Sequence, residues 1–140
     1  PQPVLFPDSS SFLQYDYPGG CEDPRIVETE DGTYILTYTS WNHKIARLTI
    51  AFSKDLIHWE KKKVAFKEAY NGKFYNSWSK SGSIVTKFEK NKYIAAKING
   101  KYWMYWGEHF INLAWSENLI DWTPLLNETG ELKVIVGPRK

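Results

Sequence analysis

Short segments rich in aromatic and β-branched residues recur along the chain and are separated by polar turn residues. Residues 33–39 and 101–105 consist mainly of Tyr, Trp, Ile and Thr, which suit the pleated, half-buried surface of a strand. Residues 48–52 and 112–115 have the same character and follow the first two segments. The pattern therefore predicts two pairs of consecutive β-strands.

The polar segment after each strand pair is also repeated. The sequence SKDLIHW at residues 53–59 returns as SENLIDW at residues 116–122. Its Ser and its Asp or Asn can bond to nearby backbone groups, which favours a tight turn. Trp59 and Trp122 are predicted to fill the core and to have no catalytic role. The two copies begin at residues 53 and 116. A repeat unit of this length, built from short aromatic strands, indicates the blades of a β-propeller.

The length of the chain limits how much of a propeller it can contain. A propeller needs at least four blades of roughly 40–50 residues each, so about two to three blades fit here. The chain has 140 residues, starts with Pro-Gln-Pro and lacks an initiator Met. We therefore predict an all-β fold in which residues 1–140 are a fragment of a single β-propeller catalytic domain, completed by the remaining blades of a longer protein.

Composition and charge exclude several classes of function. Aromatic residues make up 16% of the chain and charged residues 24%, which indicates a globular protein. The 18 basic and 16 acidic residues give a net charge of +2, too weak a field to imply a nucleic-acid partner. No stretch of the sequence approaches a membrane span, so no membrane partner is predicted. The single cysteine, Cys21, leaves the cellular compartment open.

The histidines do not form a metal-binding pattern. His43, His58 and His109 are each isolated in sequence from Cys21 and from the paired carboxylates, and none shows ligand spacing. His58 is also replaced by Asp121 in the second turn, so its position does not require an imidazole. We therefore expect no metal site and no cofactor.

The sequence Glu22-Asp23-Pro24-Arg25 is the first place where the repeat is broken. Two adjacent carboxylates precede a proline that restricts the backbone of Asp23, and a strand is predicted to begin at Arg25. Strand starts near the axis of a propeller line its channel, so these residues are candidates for chemistry. Arg25 would then hold Asp23 or Glu22 in place. The alternative is a surface turn with a salt bridge.

A second candidate follows the strand at residues 101–105. There, Trp106-Gly107-Glu108 stands where the first copy has polar residues. A Trp beside a carboxylate suits a sugar platform next to an acid or base, and a solvated glutamate at a strand end is the alternative.

Further substrate contacts are predicted in the loops. Trp41 could stack on a sugar and Asn42 could bond its hydroxyls, or both could form a contact between blades. Lys80 lies in the polar stretch at residues 76–83, which suits hydroxyl or anion contacts. Arg47 begins the second strand at the rim, where it is either a substrate contact or a structural residue.

The order of these motifs resembles that of glycoside hydrolase family 130, the β-mannoside phosphorylases and β-mannosidases. The resemblance is carried by EDPR at 22–25, GTYILTYT at 32–39, SKDLIHW at 53–59 and INGKY at 98–102. It covers essentially the whole chain. The resemblance implies a five-bladed propeller and an oligosaccharide substrate that contains β-mannosides.

The resemblance also implies roles for single residues. Asp23 matches the family's general acid, whose proton is thought to reach the glycosidic oxygen through a mannose hydroxyl. Lys80 matches a basic residue that contacts phosphate in the phosphorylases. The phosphorylases then carry His-Arg-Pro, whose Arg binds phosphate, where this chain has Trp106-Gly107-Glu108.

This departure favours hydrolysis over phosphorolysis. A carboxylate at Glu108 would repel phosphate, whereas an inverting hydrolase needs a carboxylate to deprotonate water on the face opposite the acid. The resemblance further implies that hydrolytic members use glutamates in place of phosphate-binding residues. We therefore predict an inverting β-mannosidase with Asp23 as acid and Glu108 as base. A phosphorylase and a non-catalytic sugar-binding propeller are the alternatives.

Overall fold

Two mainly antiparallel sheets form the framework of the fold. The computed structural model describes residues 2–139. The elements in chain order are α1 (Leu13–Asp16), β1 (Gly20–Glu28), β2 (Tyr34–Trp41), β3 (Ala46–Ser53), β4 (Glu60–Val64), β5 (Ser83–Ile84), β6 (Thr86–Glu89), β7 (Lys92–Ala95), β8 (Lys97–Ile98), β9 (Lys101–Gly107), β10 (Ile111–Ser116), β11 (Thr123–Pro124) and β12 (Val134–Val136).

Each sheet has six strands, four of which run up and down beside one another. The first sheet has the order β4-β3-β2-β1-β7-β6, and the hairpin β6–β7 joins it through a single parallel bridge between Glu28 and Ile94. The second sheet has the order β11-β10-β9-β5, with β12 added to β10 and β8 added to β9. The strands β1–β4 thus form one antiparallel meander, and β5 with β9–β11 forms another.

The predicted strands all form, with corrections to their boundaries. The two strand pairs are β2–β3 and β9–β10, and β2 and β9 each extend two residues beyond the predicted end. The strand predicted to begin at Arg25 begins at Gly20 instead. A bulge between Glu22 and Arg25 lets the preceding residues keep pairing with β2. The sequence Glu22–Arg25 is therefore part of a strand and does not precede one.

The repeated turns have the same structure in both copies, as the sequence predicted. Ser53 Oγ accepts a hydrogen bond from the N–H of Leu56 at 2.9 Å, and Ser116 Oγ accepts one from the N–H of Leu119 at 2.9 Å. Leu56 and Leu119 both have a φ of 66°. Two residues after each Ser, the Oδ1 of Asp55 or Asn118 accepts hydrogen bonds from the N–H groups two and three residues further along the chain. This bonding pattern stabilises a left-handed leucine that would otherwise be unfavourable.

The main hydrophobic core lies between the two sheets. Its buried members include Ile35, Leu48, Ile50, Phe66, Met104, Trp106, Ala114 and Trp122. Trp122 is fully buried there, as predicted, whereas its counterpart Trp59 is half-buried and packs on the opposite face of the first sheet. The six central residues of β2 are all buried. Both faces of β2 are therefore covered, one by the second sheet and the other mainly by the N-terminal segment.

The N-terminal segment is attached to β4 through a buried ion pair. The Lys61 ammonium donates to Asp16 Oδ2 at 2.7 Å and to the carbonyl of Phe6 at 2.7 Å, and it lies 3.3 Å from Asp8 Oδ2. The side chains of Lys61 and Asp16 are 5% and 0% exposed. Burial lowers the pKa of Lys61, but the hydrogen bond and charge of Asp16 outweigh it, so its pKa is raised overall. The ammonium therefore stays charged inside the protein.

Cys21 is expected to react slowly with thiol reagents in the folded protein. Burial, followed by the charge of Asp16, raises the pKa of the Cys21 thiol to about 12. At pH 8 its thiolate is scarce, so alkylation should be roughly 10–100-fold slower than in the unfolded chain. Peptide mass spectrometry after timed iodoacetamide treatment, with and without denaturant, measures this ratio. Equal rates in the two conditions would show that the thiol is neither shielded nor raised in pKa.

Candidate active site

Three segments meet at one end of the two sheets and enclose a cleft. They are the bulge in β1, the linker that precedes β5, and the turn between β9 and β10. The cleft has a volume of about 580 Å³. Its lining residues are Asp23, Arg25, Lys80, Ser81, Ser83, Tyr105, Trp106, Gly107, Glu108 and Ile111. The structure thus brings together five of the residues that the sequence singled out: Asp23, Arg25, Lys80, Trp106 and Glu108.

Asp23 occupies a strained position on the rim of this cleft. It lies in the bulge of β1 with a φ of 50°, directly before Pro24, and its side chain is exposed. Opposite it, Ser81 has a φ of 52°, and its hydroxyl lies 3.5 Å from Asp23 Oδ2. Left-handed backbone costs about 1–3 kcal/mol at a residue with a side chain, and such strain clusters at functional sites.

The linker that carries Lys80 and Ser81 is fixed by buried hydrogen bonds. The backbone N–H of Ser79 donates to the carbonyl of Ala46 at 3.0 Å, and the Ser79 hydroxyl accepts from the N–H of Leu48 at 2.9 Å. The linker is also held by β2, because the buried Thr37 hydroxyl donates a hydrogen bond to the carbonyl of Gly82 at 2.7 Å. These bonds join the linker to the first sheet, so the residues it presents to the cleft are held rigidly.

Glu108 follows Gly107, a position where a residue with a side chain does not fit. Gly107 has a φ of 136°, and a Cβ at this position would overlap the carbonyl of Phe110. The N–H of Gly107 donates to the carbonyl of Lys80 at 3.0 Å, and the Lys80 ammonium forms an ion pair with Glu108 Oε1 at 3.6 Å. The Glu108 side chain is more than half exposed. It can therefore contact water in the cleft.

The cleft presents two carboxylates that are held by neighbouring linker residues. Asp23 meets Ser81, and Glu108 meets Lys80, so one dipeptide contacts both groups. A pair of carboxylates on opposite sides of an open cleft can act as a general acid and a general base. The catalytic roles of Asp23 and Glu108 remain predictions.

Trp106 does not fit the predicted role of a sugar platform. Its ring is 3% exposed and packs in the core against Phe66, with ring centroids 4.7 Å apart. A ring buried to this extent has no free face for a sugar. Tyr105, which the sequence analysis passed over, is the adjacent residue that faces outward and lines the cleft. The alternation of β9 explains the difference, because neighbouring residues of a strand point to opposite faces.

Arg47 is bonded within the protein and lies outside the cleft. Its guanidinium is buried, donates to the carbonyl of Tyr75 at 3.0 Å and to Asn76 Oδ1 at 2.8 Å, and lies over the rings of Tyr15 and Tyr75. It does not line the cleft. The sequence analysis left this structural role open as the alternative.

Two other predicted contacts lie at the same end of the sheets but outside the cleft. Asn42 shapes the β2–β3 turn, since its Oδ1 accepts from the N–H of Ile45 at 2.9 Å and its Nδ2 donates to the carbonyl of Gln14 at 3.0 Å. Trp41 is half-buried at the end of β2. Arg25 does line the cleft, but within residues 2–139 it forms no ion pair with Asp23 or any other carboxylate.

The described part of the chain also contains neither a metal-type cluster nor a spanning helix. No group of three or more His, Cys, Asp or Glu side chains in residues 2–139 could hold a metal ion. No helix in that range is long and apolar enough to cross a membrane.

Comparisons with known proteins connect this chain to a family of carbohydrate-active enzymes. The sequence profile of glycoside hydrolase family 130, described as beta-1,4-mannooligosaccharide phosphorylase, matches residues 1–139. A 1,2-beta-oligomannan phosphorylase from Thermoanaerobacter sp. (strain X514) is 32% identical over 129 residues, which cover 82% of this chain and 37% of that protein.

Solved structures match the whole fold closely. A candidate glycoside hydrolase from Bacteroides ovatus ATCC 8483 is 56% identical with a TM-score of 0.97, covering 99% of this chain and 41% of that chain. A structure from work on family 130 hydrolases that target beta-1,2 mannosidic linkages in Candida mannan is 49% identical with a TM-score of 0.95, covering 98% and 38%. The chain spans about two fifths of the length of these relatives, and it belongs to glycoside hydrolase family 130.

Proposed function

We propose that the chain carries the general acid and the general base of an inverting β-mannosidase, Asp23 and Glu108. The observation that carries the proposal is the placement of both carboxylates on one cleft, each beside a backbone position with positive φ. Family membership supports β-linked manno-oligosaccharides as the substrate class.

The proposed reaction uses the two carboxylates on opposite faces of the sugar. Asp23 donates a proton, through a mannose hydroxyl, to the glycosidic oxygen as the bond from that oxygen to C1 breaks. Water attacks C1 from the other face, and Glu108 accepts a proton from it. The products are the shortened sugar and a mannose of inverted anomeric configuration. Roughly 6.5–9.5 Å is expected between the two carboxyl groups, which leaves room for the water.

Charge in the cleft supports hydrolysis over phosphorolysis. The Lys80 ammonium is already paired with Glu108, and a phosphate placed there would meet a carboxylate. The more similar solved relatives include one from work on family 130 hydrolases. The second candidate, a phosphorylase, is supported by the two cations in the cleft, Lys80 and Arg25, and by the 32% identical phosphorylase.

We also propose that the two sheets are blades of a five-bladed propeller, whose other blades lie in the remainder of a longer protein. Support comes from the two four-stranded meanders and the matching turns. Trp122 fills the space between the two sheets, whereas Trp59, at the equivalent position, faces away from the second sheet. Another blade on that side would cover Trp59 as the first sheet covers Trp122.

The reaction type is tested on the full-length protein by supplying or omitting inorganic phosphate. We expect mannose to be released from β-mannobiose at the same rate in both conditions, and proton NMR should show the α-anomer as the first product. Phosphate-dependent turnover to mannose 1-phosphate would instead identify a phosphorylase. Binding of the disaccharide without turnover in either condition would identify a non-catalytic sugar-binding protein.

A further inference from the structure

We propose that Trp78 and Trp41 form a second sugar-binding site, which holds a mannose residue distant from the bond that is cleaved. The inference rests on the proposed function and adds to it a preference for longer chains. Trp78 is 53% exposed, although tryptophan has the largest apolar side chain and is usually buried for the most part. Its ring lies 5.2 Å from that of Trp41 at an angle of 57°. The two rings thus form an open, tilted aromatic pair.

Trp78 of the aromatic pair lies two residues before Lys80, which lines the cleft. In the linker, Ser79 is buried while Trp78 and Lys80 on either side of it face outward. The Cα atoms of Trp78 and Lys80 are separated by at most about 7 Å, the reach of two extended residues. Lys80 in turn contacts Glu108. A saccharide chain that leaves the cleft along the linker would therefore pass over Trp78.

The ring of Trp41 and the backbone next to Trp78 are held before any ligand arrives. The backbone at Ser79 is bonded to β3 on one side of Trp78. Trp41 packs against the bare backbone of Gly19, where a Cβ would overlap the Trp41 ring. It also contacts His43, with ring centroids 5.7 Å apart. Rings that are fixed in advance lose little conformational entropy on binding, which makes such a surface effective for a weakly held ligand.

The chemistry of the pair suits a pyranose ring. One face of a pyranose carries C–H groups, and the negative face of an indole attracts their partial positive charge. The hydroxyls at the edge of the sugar remain in water, so no buried polar partner is needed. A neutral sugar is therefore the ligand class that fits.

The test compares a short and a long substrate in the full-length protein. For Trp78→Ala we expect KM for β-mannotetraose to rise roughly tenfold, as loss of one aromatic contact implies. KM for β-mannobiose and both kcat values should not change. Trp78→Phe keeps a ring and should restore most of the loss. Tyr93→Ala, which removes an aromatic side chain that is 66% exposed on the β6–β7 hairpin, is the matched control and should behave as wild type.

Three results would overturn the proposal. One is an equal loss on both substrates. Another is an unchanged KM of Trp78→Ala for β-mannotetraose, whether or not its melting temperature falls. If the wild type turns over neither substrate, the proposed function fails, and calorimetric titration with β-mannotetraose then decides. Weaker binding by Trp78→Ala supports the sugar site, and unchanged binding overturns it.

Discussion

Replacing Asp23 with Asn in the full-length protein is expected to lower kcat on β-mannobiose by about 10²–10⁴-fold, the usual contribution of a general acid. Replacing Glu108 with Gln should give a loss of similar size, because the amide cannot take a proton from water. Both substitutions keep side-chain size, and both positions are exposed, so the fold should be retained. Steady-state kinetics with both purified variants gives the two ratios.

The two roles can be told apart with an activated substrate. An aryl β-mannoside with a good leaving group needs little protonation, so Asp23→Asn should lose much less activity on it, whereas Glu108→Gln should lose as much as before. Glu22→Gln is the matched control, because Glu22 is the exposed carboxylate next to Asp23 and does not line the cleft. A loss in Glu22→Gln as large as in Asp23→Asn would mean that the acid has been misassigned.

Replacing Lys61 with Met is expected to destabilise the protein by about 3–5 kcal/mol, because Asp16 would be left as a buried, unpaired carboxylate. Lys62→Met is the matched control. Lys62 is the next residue of β4 and pairs with Glu60, whose side chain is 72% exposed, so a change of at most about 1 kcal/mol is expected. Urea unfolding followed by circular dichroism measures both free energies of unfolding.

The double variant Lys61→Met with Asp16→Leu extends this test. It removes both charges, so much of the lost stability should return. Since the pKa of Lys61 is raised above its usual 10.5, the stabilisation by the pair is present below that pH and is lost as the pH rises through the shifted pKa. A cost for Lys61→Met no larger than that for Lys62→Met would show that the buried pair does not stabilise the fold.

The sequence predicted features that depend on local bonding. The two turns could be recognised because Ser and an Asp or Asn occupy the same places in each copy, and those side chains bond within three residues. Asp23 and Glu108 could be named because their motifs resemble those of the family. The structure has both residues on one cleft, and their catalytic roles stay predictions.

Features that depend on distant contacts could not be predicted. The sequence could not show which face of β9 is buried. Residues 102–106 are all large and apolar or aromatic, so polar and apolar residues do not alternate along the strand. Trp106 was therefore misinterpreted. The pair Asp16–Lys61 joins residues 45 positions apart, and the bonds that fix Ser79 come from β3. Neither leaves a local pattern.

The two carboxylates of the cleft belong to different repeats, since Asp23 lies in the first sheet and Glu108 follows a strand of the second. Under the proposed function, one repeat governs the departing sugar and the other governs which nucleophile is accepted. Substitutions near Glu108 could then exchange water for phosphate during evolution without any change in the repeat that protonates the leaving group. A duplicated unit would in this way allow one half of an active site to diverge while the other half is inherited intact.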